Sequence, residues 1–375
     1  TAGINKNVNI TYTLTDTTNY SVSGGSSGAA NLTATISKAV VNITSSTAQD
    51  KVYDGNANAS INFTGIVNLG NSSAANGTTV SSTLVNSGNV TANSTFQGLN
   101  ATNLARDVGQ NKTVNVSYAL VDTANYSITS TAAANAPKAN ITMASSATWI
   151  GGGNTSNYTD PANWLNGVIA DASNVGNITI QAGTTATFDA GARATTVQSI
   201  TGAGAGANFT QAGSTMNVSG GNGTCVSAFT QTGGTFTGNT NLTTTTGFNQ
   251  TGGSISTTGN VNVSGATNLN NIQANAIQVA GGAITNTGTV HANTTVNINA
   301  TTSLNNTASG VICGDTGTTA AGGAITNAGT IGCAPAQTTI TGTSLNSTGT
   351  IAGGNISVNV TGNLTNSGNI TSTGT

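Results

Sequence analysis

The chain predicts an all-β protein: an N-terminal region of half-buried strands, then a right-handed parallel β-helix of about 20 residues per coil. Three observations carry that prediction. Apolar residues return at a fixed phase roughly every twenty positions through the second half of the chain. Short runs such as VNVSYAL at 114–120 alternate apolar and polar residues with period two, as a half-buried strand requires. Charge is almost missing. Seven Lys or Arg and nine Asp, with no Glu, make up 4% of 375 residues, against roughly 25% in an ordinary soluble domain. Surface helices are normally solvated by Glu, Lys and Arg, and the 50 Gly and 53 Asn that stand here instead are poor helix formers. Only three Pro argue against collagen-like and Pro-rich segments, and 36% apolar residues argue against full disorder.

The first element is an internal repeat. Residues 3–22 align with residues 109–128 at a constant offset of 106. Asn5, Lys6, Val8, Asn9, Tyr12, Leu14, Asp16, Thr17, Asn19 and Tyr20 match Asn111, Lys112, Val114, Asn115, Tyr118, Leu120, Asp122, Thr123, Asn125 and Tyr126. Residues 1–38 therefore read as the C-terminal part of one module, and 39–142 as a complete second copy. KVYDGNANASI at 51–61, followed by RDVGQNKTVNVSYALVDTANYSI at 106–128, resembles the YDG/MBG-type repeat of large bacterial surface proteins. Tyr53, Asp54 and Gly55 are the residues that name that family. The resemblance covers about 140 residues and implies a β-sandwich. Read from the residues alone, Tyr53-Asp54-Gly55 is a strand followed by a turn: Asp supplies turn hydrogen bonds and Gly a positive φ. That reading outweighs a ligand role for Asp54.

The texture changes after Lys138. Residues 148–190 hold both tryptophans, Trp149 and Trp164, and resemble the short Trp-containing segment that precedes β-helices in many bacterial exoproteins. The resemblance implies a cap in which Trp149 and Trp164 plug an open apolar end; sugar binding is the alternative. Asp160, Asp171 and Asp189 fit turn positions better than a metal site, because no Asp-rich Ca²⁺ repeat is present.

Residues 191–375 carry the short repeat. Phe209-Thr-Gln, Phe229-Thr-Gln and Phe248-Asn-Gln recur at spacings of 20 and 19. Ile284-Thr-Asn, Leu304-Asn-Asn, Ile325-Thr-Asn, Leu345-Asn-Ser and Leu364-Thr-Asn recur at 20, 21, 20 and 19. The interval from Phe248 to Ile284 is irregular and reads as one normal and one short coil around Leu269. Each unit must bury its apolar residues on its neighbours, as stacked β-helical coils do, with a rise of about 4.8 Å per coil. Nine or ten coils make a rod roughly 45 Å long. Gly at the unit ends suits corners, and stacked Asn can form amide ladders. Cys313 and Cys333 lie 20 residues apart, one coil period, which places them within disulfide reach; two stacked small residues are the alternative. The pattern is similar to passengers of the filamentous-haemagglutinin type, exported by two-partner secretion. The chain starts at Thr1 with no signal-peptide pattern and ends without a visible cap, so a longer protein is expected on both sides.

A net charge of −2 offers no footprint for nucleic acid or anionic lipid, and no run approaches the roughly 18 apolar residues of a membrane span. From Trp149 onward the chemistry-bearing side chains are Asp160, Asp171, Asp189, Asp315, Arg193 and His291. They offer no phosphate loop, zinc spacing or nucleophile elbow. No catalytic residue, cofactor or metal is expected, and His291 reads as a solvent-facing strand or turn residue. The chain holds 32 Asn-x-Ser/Thr triplets, with Asn9, Asn42, Asn62, Asn177, Asn217 and Asn363 each followed by an apolar residue. Strand alternation explains such triplets, with Asn and Thr facing water; N-glycosylation is the rival explanation. The expected function is therefore non-enzymatic: a structural and adhesive segment of a large bacterial exoprotein at the cell surface. Expected partners are a receptor or glycan on a host or neighbouring cell, the outer-membrane transporter during export, and other copies of the chain. The alternative is a filament or sheath subunit joined by strand complementation, since half a module at 1–38 leaves strand edges open.

Overall fold

The computed structural model describes residues 1–10, 14–21, 32–68 and 89–374. The protein is all-β, with an N-terminal β region followed by a parallel β-solenoid of about ten turns at about 20 residues per turn. Two compact units emerge: Thr1–Lys51 with Asn56–Thr142, and Val52–Gly55 with Met143–Thr375. Tyr12 and Val22 of the internal repeat, and residues 69–88 of the second copy, lie outside the described residues. No described helix is long and apolar enough to cross a membrane.

In the first unit, strand Ala39–Ala48 pairs antiparallel with Ile61–Asn68 and parallel with Tyr126–Ser130. A second sheet runs in the order Lys138–Thr142, Gly109–Leu120, Val90–Phe96. Alternation sends Val41, Ile43 and Val90 inward, where Phe63, Tyr118 and Ile128 pack around them. Phe63 and Tyr118 meet edge to face at 5.3 Å. A separate antiparallel pair, Gly3–Val8 with Leu32–Ile36, leaves its apolar side chains in water: Ile4 is 76% and Ile36 54% exposed.

The internal repeat is visible in the backbone. Asn5 and Asn111, 106 residues apart, both take the left-handed region, with φ of 53° and 52°; Asn tolerates it better than most residues. Asp16 Oδ1 accepts from the Thr18 and Asn19 amides, and Asp122 Oδ1 from those of Ala124 and Asn125. These bonds, with the Asn side-chain donors first, hold both carboxyls below the usual value of 3.8. Lys112 is fully buried. Its ammonium donates to Asn103 Oδ1, Leu104 O and Asp107 O at 2.9, 2.8 and 2.7 Å, so all three protons are used.

The second unit is a stack of parallel strands in register. Strand Ile277–Asn286 pairs with Thr295–Asn306, that strand with Gly317–Asn327, and that in turn with Gln337–Ser347. Register aligns Phe209, Phe229 and Phe248, and further along Ile284, Leu304, Ile325 and Leu345. The phenylalanine rings stack at 5.8 and 5.9 Å. Each of these side chains is essentially inaccessible, and burial of that kind stabilises by roughly 1.5–3 kcal/mol per residue. Between Phe248 and Asn249 the register slips, so Ala266 stands opposite Phe248. The coil after it is short: Ser254 pairs with Asn271, only 17 positions on. Gly265, at φ +67°, permits the tight passage, because a Cβ there would collide with the Thr246 carbonyl. Leu364 and Ile370, on the last coil, stay half exposed because no described coil covers them.

Candidate functional site

The first solenoid strand, Ala144–Trp149, ends in a cluster of buried aromatic side chains. Trp149 and Trp164 are buried and meet edge to face at 5.3 Å; Tyr158 packs on Trp164 and Phe188 at 4.9 Å each. Phe188 continues the column to Phe209. Trp164 Nε1 donates to Tyr158 O at 2.7 Å, and the Tyr158 hydroxyl donates to Ala170 O at 2.6 Å. Burial, with Asp171 and Tyr53 nearby, pushes the Tyr158 hydroxyl well above its ordinary pKa of 10. Neither indole has an accessible face on which a sugar ring could stack.

Tyr53 packs within the same unit. Its hydroxyl donates to Ile169 O and Asp171 Oδ1, at 3.1 and 3.2 Å. Asp171 also accepts from Asn174 Nδ2 and pairs with Arg193 at 3.1 Å. Asp54 is exposed, and Gly55 turns the chain at φ +82°. Asp160 caps the short helical turn Pro161–Asn163 through the Ala162 amide, and Asp189 accepts from the Gly191 amide. Asp160 and Asp189 thus each hold a local turn, while Asp171 gathers Tyr53, Asn174 and Arg193.

Inside the coils runs a feature that composition alone conceals. Gln211, Gln231 and Gln250 are fully buried, as are Asn286, Asn306, Asn327 and Ser347. Gln250 Nε2 donates to Gln231 Oε1 at 2.9 Å, and Gln231 Nε2 to Gln211 Oε1 at 3.2 Å. Asn286 donates to Asn306, Asn306 to Asn327 and Asn327 to Ser347, at 2.8, 2.8 and 3.2 Å. The glutamine ladder donates toward the N-terminal end and the asparagine ladder toward the C-terminal end. Leu269 fills the position between them, opposite Asn286 in register. Backbone carbonyls fix each direction; Asn306 Nδ2, for example, also donates to Gly310 O and Thr330 O. These residues follow a buried Phe, Ile or Leu by two, the same-face spacing of a strand, and that was the available signal.

Outside, a row of hydroxyl and amide side chains runs the length of the stack in register. It passes from Thr187 through Thr210, Thr230, Asn249, Asn268 and Thr285 to Thr365. On another side the short coil leaves a groove of about 420 Å³ lined by Ser254, Ser256, Asn271, Gln273, Thr289 and His291. Beyond it, His291 Nε2 lies 2.9 Å from Asp315 Oδ1, and the register partner of His291 is Cys313. His291 and Asp315 thus meet across adjacent coils. Cys313 and Cys333 form a disulfide between adjacent coils, with Cα atoms 5.4 Å apart; Cys225 is free and exposed.

Among the Asn-x-Ser/Thr candidates, Asn9, Asn62 and Asn363 are exposed and Asn42, Asn177 and Asn217 half-buried. The residues that follow Asn42, Asn177 and Asn217, namely Ile43, Ile178 and Val218, are fully buried, the geometry that strand alternation dictates. The Asn177 amide is engaged at both ends, donating to Ser145 O and accepting from Ser199 Oγ.

The chain matches no protein-family model, no curated protein and no solved structure.

Proposed function

We propose that this chain is a non-enzymatic structural and adhesive segment of a large bacterial exoprotein, displayed outside the cell. The observation that carries the proposal is the outward row from Thr187 to Thr365, a neutral rank of hydrogen-bonding groups repeated at each coil. Such a surface matches long, uncharged, hydroxyl-rich partners, and a cell-surface glycan is the partner class we assign to it. The YDG/MBG resemblance around Tyr53, Asp54 and Gly55 supports a sandwich-type N-terminal module. The haemagglutinin-like repeat supports a right-handed solenoid exported through an outer-membrane transporter. The test is binding of the purified chain to arrayed glycans and to whole cells. Binding that falls at least tenfold when Thr230, Thr285 and Thr326 are changed to Lys supports the proposal. Binding that is absent, or indifferent to those changes, refutes it.

A second reading has its own observation. The pair Gly3–Val8 and Leu32–Ile36 exposes Ile4, Leu32 and Ile36. In a filament or sheath, a neighbouring subunit would cover these side chains and add strands to the open edges. Sedimentation and negative-stain imaging separate the two readings: monomeric rods across a concentration series exclude the filament.

A further inference from the structure

Three metal-ligating side chains converge on two adjacent coils. His291 lies on strand Thr289–Ala292, and Cys313 occupies the matching position of strand Val311–Gly314 one coil later. Asp315 follows directly. The imidazole nitrogen, the cysteine sulfur and a carboxylate oxygen all lie within 4.8 Å of one another. Tetrahedral Zn²⁺, with bonds of about 2.0–2.3 Å, holds its ligand atoms roughly 3.3–3.8 Å apart. The longest of these separations would close by about 1 Å, and the 2.9 Å His291–Asp315 contact would open slightly, to reach that range. One nitrogen, one sulfur and one oxygen form a donor set suited to Zn²⁺ and its neighbours, and unsuited to Ca²⁺ or Mg²⁺. The hydrogen bond between His291 and Asp315 already orients two of the ligands, at 2.9 Å.

The third ligand is occupied. The Cys313 sulfur is bonded to Cys333, and a disulfide sulfur has no thiolate to offer a metal. We propose that His291, Cys313 and Asp315 are the protein ligands of a Zn²⁺-class site that the Cys313–Cys333 disulfide keeps closed. Opening it requires a dithiol reductant. The S–S bond breaks, and the dithiol delivers two electrons and two protons, leaving Cys313 and Cys333 as thiols and itself as a cyclic disulfide. Zn²⁺ then replaces the Cys313 thiol proton, which passes to solvent, and the metal undergoes no redox change. Three protein ligands leave a fourth position for water. The exchange moves a cross-link by one coil: the disulfide ties the coils of Cys313 and Cys333, whereas the metal ties those of His291 and Cys313.

Co²⁺ is the probe, because thiolate ligation gives it a distinctive near-ultraviolet charge-transfer band. All chains carry Cys225→Ser to remove the free thiol. Adding Cys333→Ser leaves Cys313 permanently reduced and needs no reductant. The expected result is one Co²⁺ per chain with the thiolate band, displaced by Zn²⁺. The disulfide-closed parent should bind at least roughly a hundredfold more weakly, and His291→Ala or Asp315→Asn at least roughly tenfold more weakly than the open chain. If the Cys333→Ser chain does not fold, the parent is reduced with a dithiol, freed of it under anaerobic conditions, and titrated in the same way. Equal affinity in the open and closed chains, no thiolate band, or binding indifferent to His291→Ala overturns the proposal.

Discussion

The two units solve the same problem, solvating a β protein, with different materials. Six of the seven Lys and Arg lie at or before Lys138, and only Arg193 stands in the solenoid. In the first unit the strands differ from one another, so a charge such as Lys112 meets partners chosen for it: Asn103, Leu104 and Asp107. In the solenoid each position stacks on its equivalent about 4.8 Å away, and a repeated charge would face its own sign. Neutral groups that both donate and accept escape that conflict. They stack outside as the row from Thr187 to Thr365, and inside as the amide ladders. Stacking in register therefore selects amides for a reason beyond solubility: a carboxamide can donate to one neighbour while accepting from the other.

The sharpest way to break that contrast is to put a charge into a ladder. Asn306→Asp keeps the shape but removes the donor that serves Asn327 Oδ1, Gly310 O and Thr330 O. A buried carboxylate would then face three acceptors. The expected loss is about 4 kcal/mol or more, read from denaturant unfolding followed by circular dichroism, and it should shrink at low pH as the carboxylate takes up a proton. An unchanged midpoint would mean that the ladder contributes nothing.

The matching test in the first unit removes a charge. Lys112→Met removes the ammonium that donates to Asn103 Oδ1, Leu104 O and Asp107 O and should cost about 2–3 kcal/mol. The pH dependence identifies the cause. Burial lowers the Lys112 pKa below its ordinary 10.5, against the opposing pull of Asp107. Between the lowered value and 10.5 the unfolded chain binds more protons, so the stability of the natural chain rises with pH there. The Met variant should lack that rise.

How much of this was written in the sequence depends on whether a contact obeys the period. Ile325-Thr-Asn and Leu345-Asn-Ser reveal the coil because each coil must bury an apolar residue at the same phase. The slip around Leu269 shows as a broken interval for the same reason. The inward amides were legible in principle, since Gln231 lies two residues after Phe229 and shares its face, but amides are ordinarily assigned to solvent. The pairing of His291 with Cys313 was not legible. Asn286 and Asn306 are register partners 20 apart, but two extra residues in the turn at 307–310 make the next step 22. A strict period sets His291 against Val311 and misses both Cys313 and Asp315.

The smallest expected effect probes a place where a repeated charge is tolerated. Asp16 and Asp122 carry the same turn 106 residues apart, each accepting two backbone amides and an Asn side chain in open solvent. Both carboxylates are exposed to water, so both can stay ionised and hold their turns. Their folded pKa values lie below the ordinary 3.8. The stability they contribute is therefore complete above the unfolded value and fades as pH falls through the lower folded one. Asp122→Asn keeps an acceptor at the turn but removes the charge. It should leave the first unit slightly less stable at neutral pH and reduce the difference in stability between pH 6 and pH 2.5. Amide exchange at Ala124 and Asn125 provides the local readout. Protection that falls equally with acid in both chains would assign the pH dependence to other carboxyls.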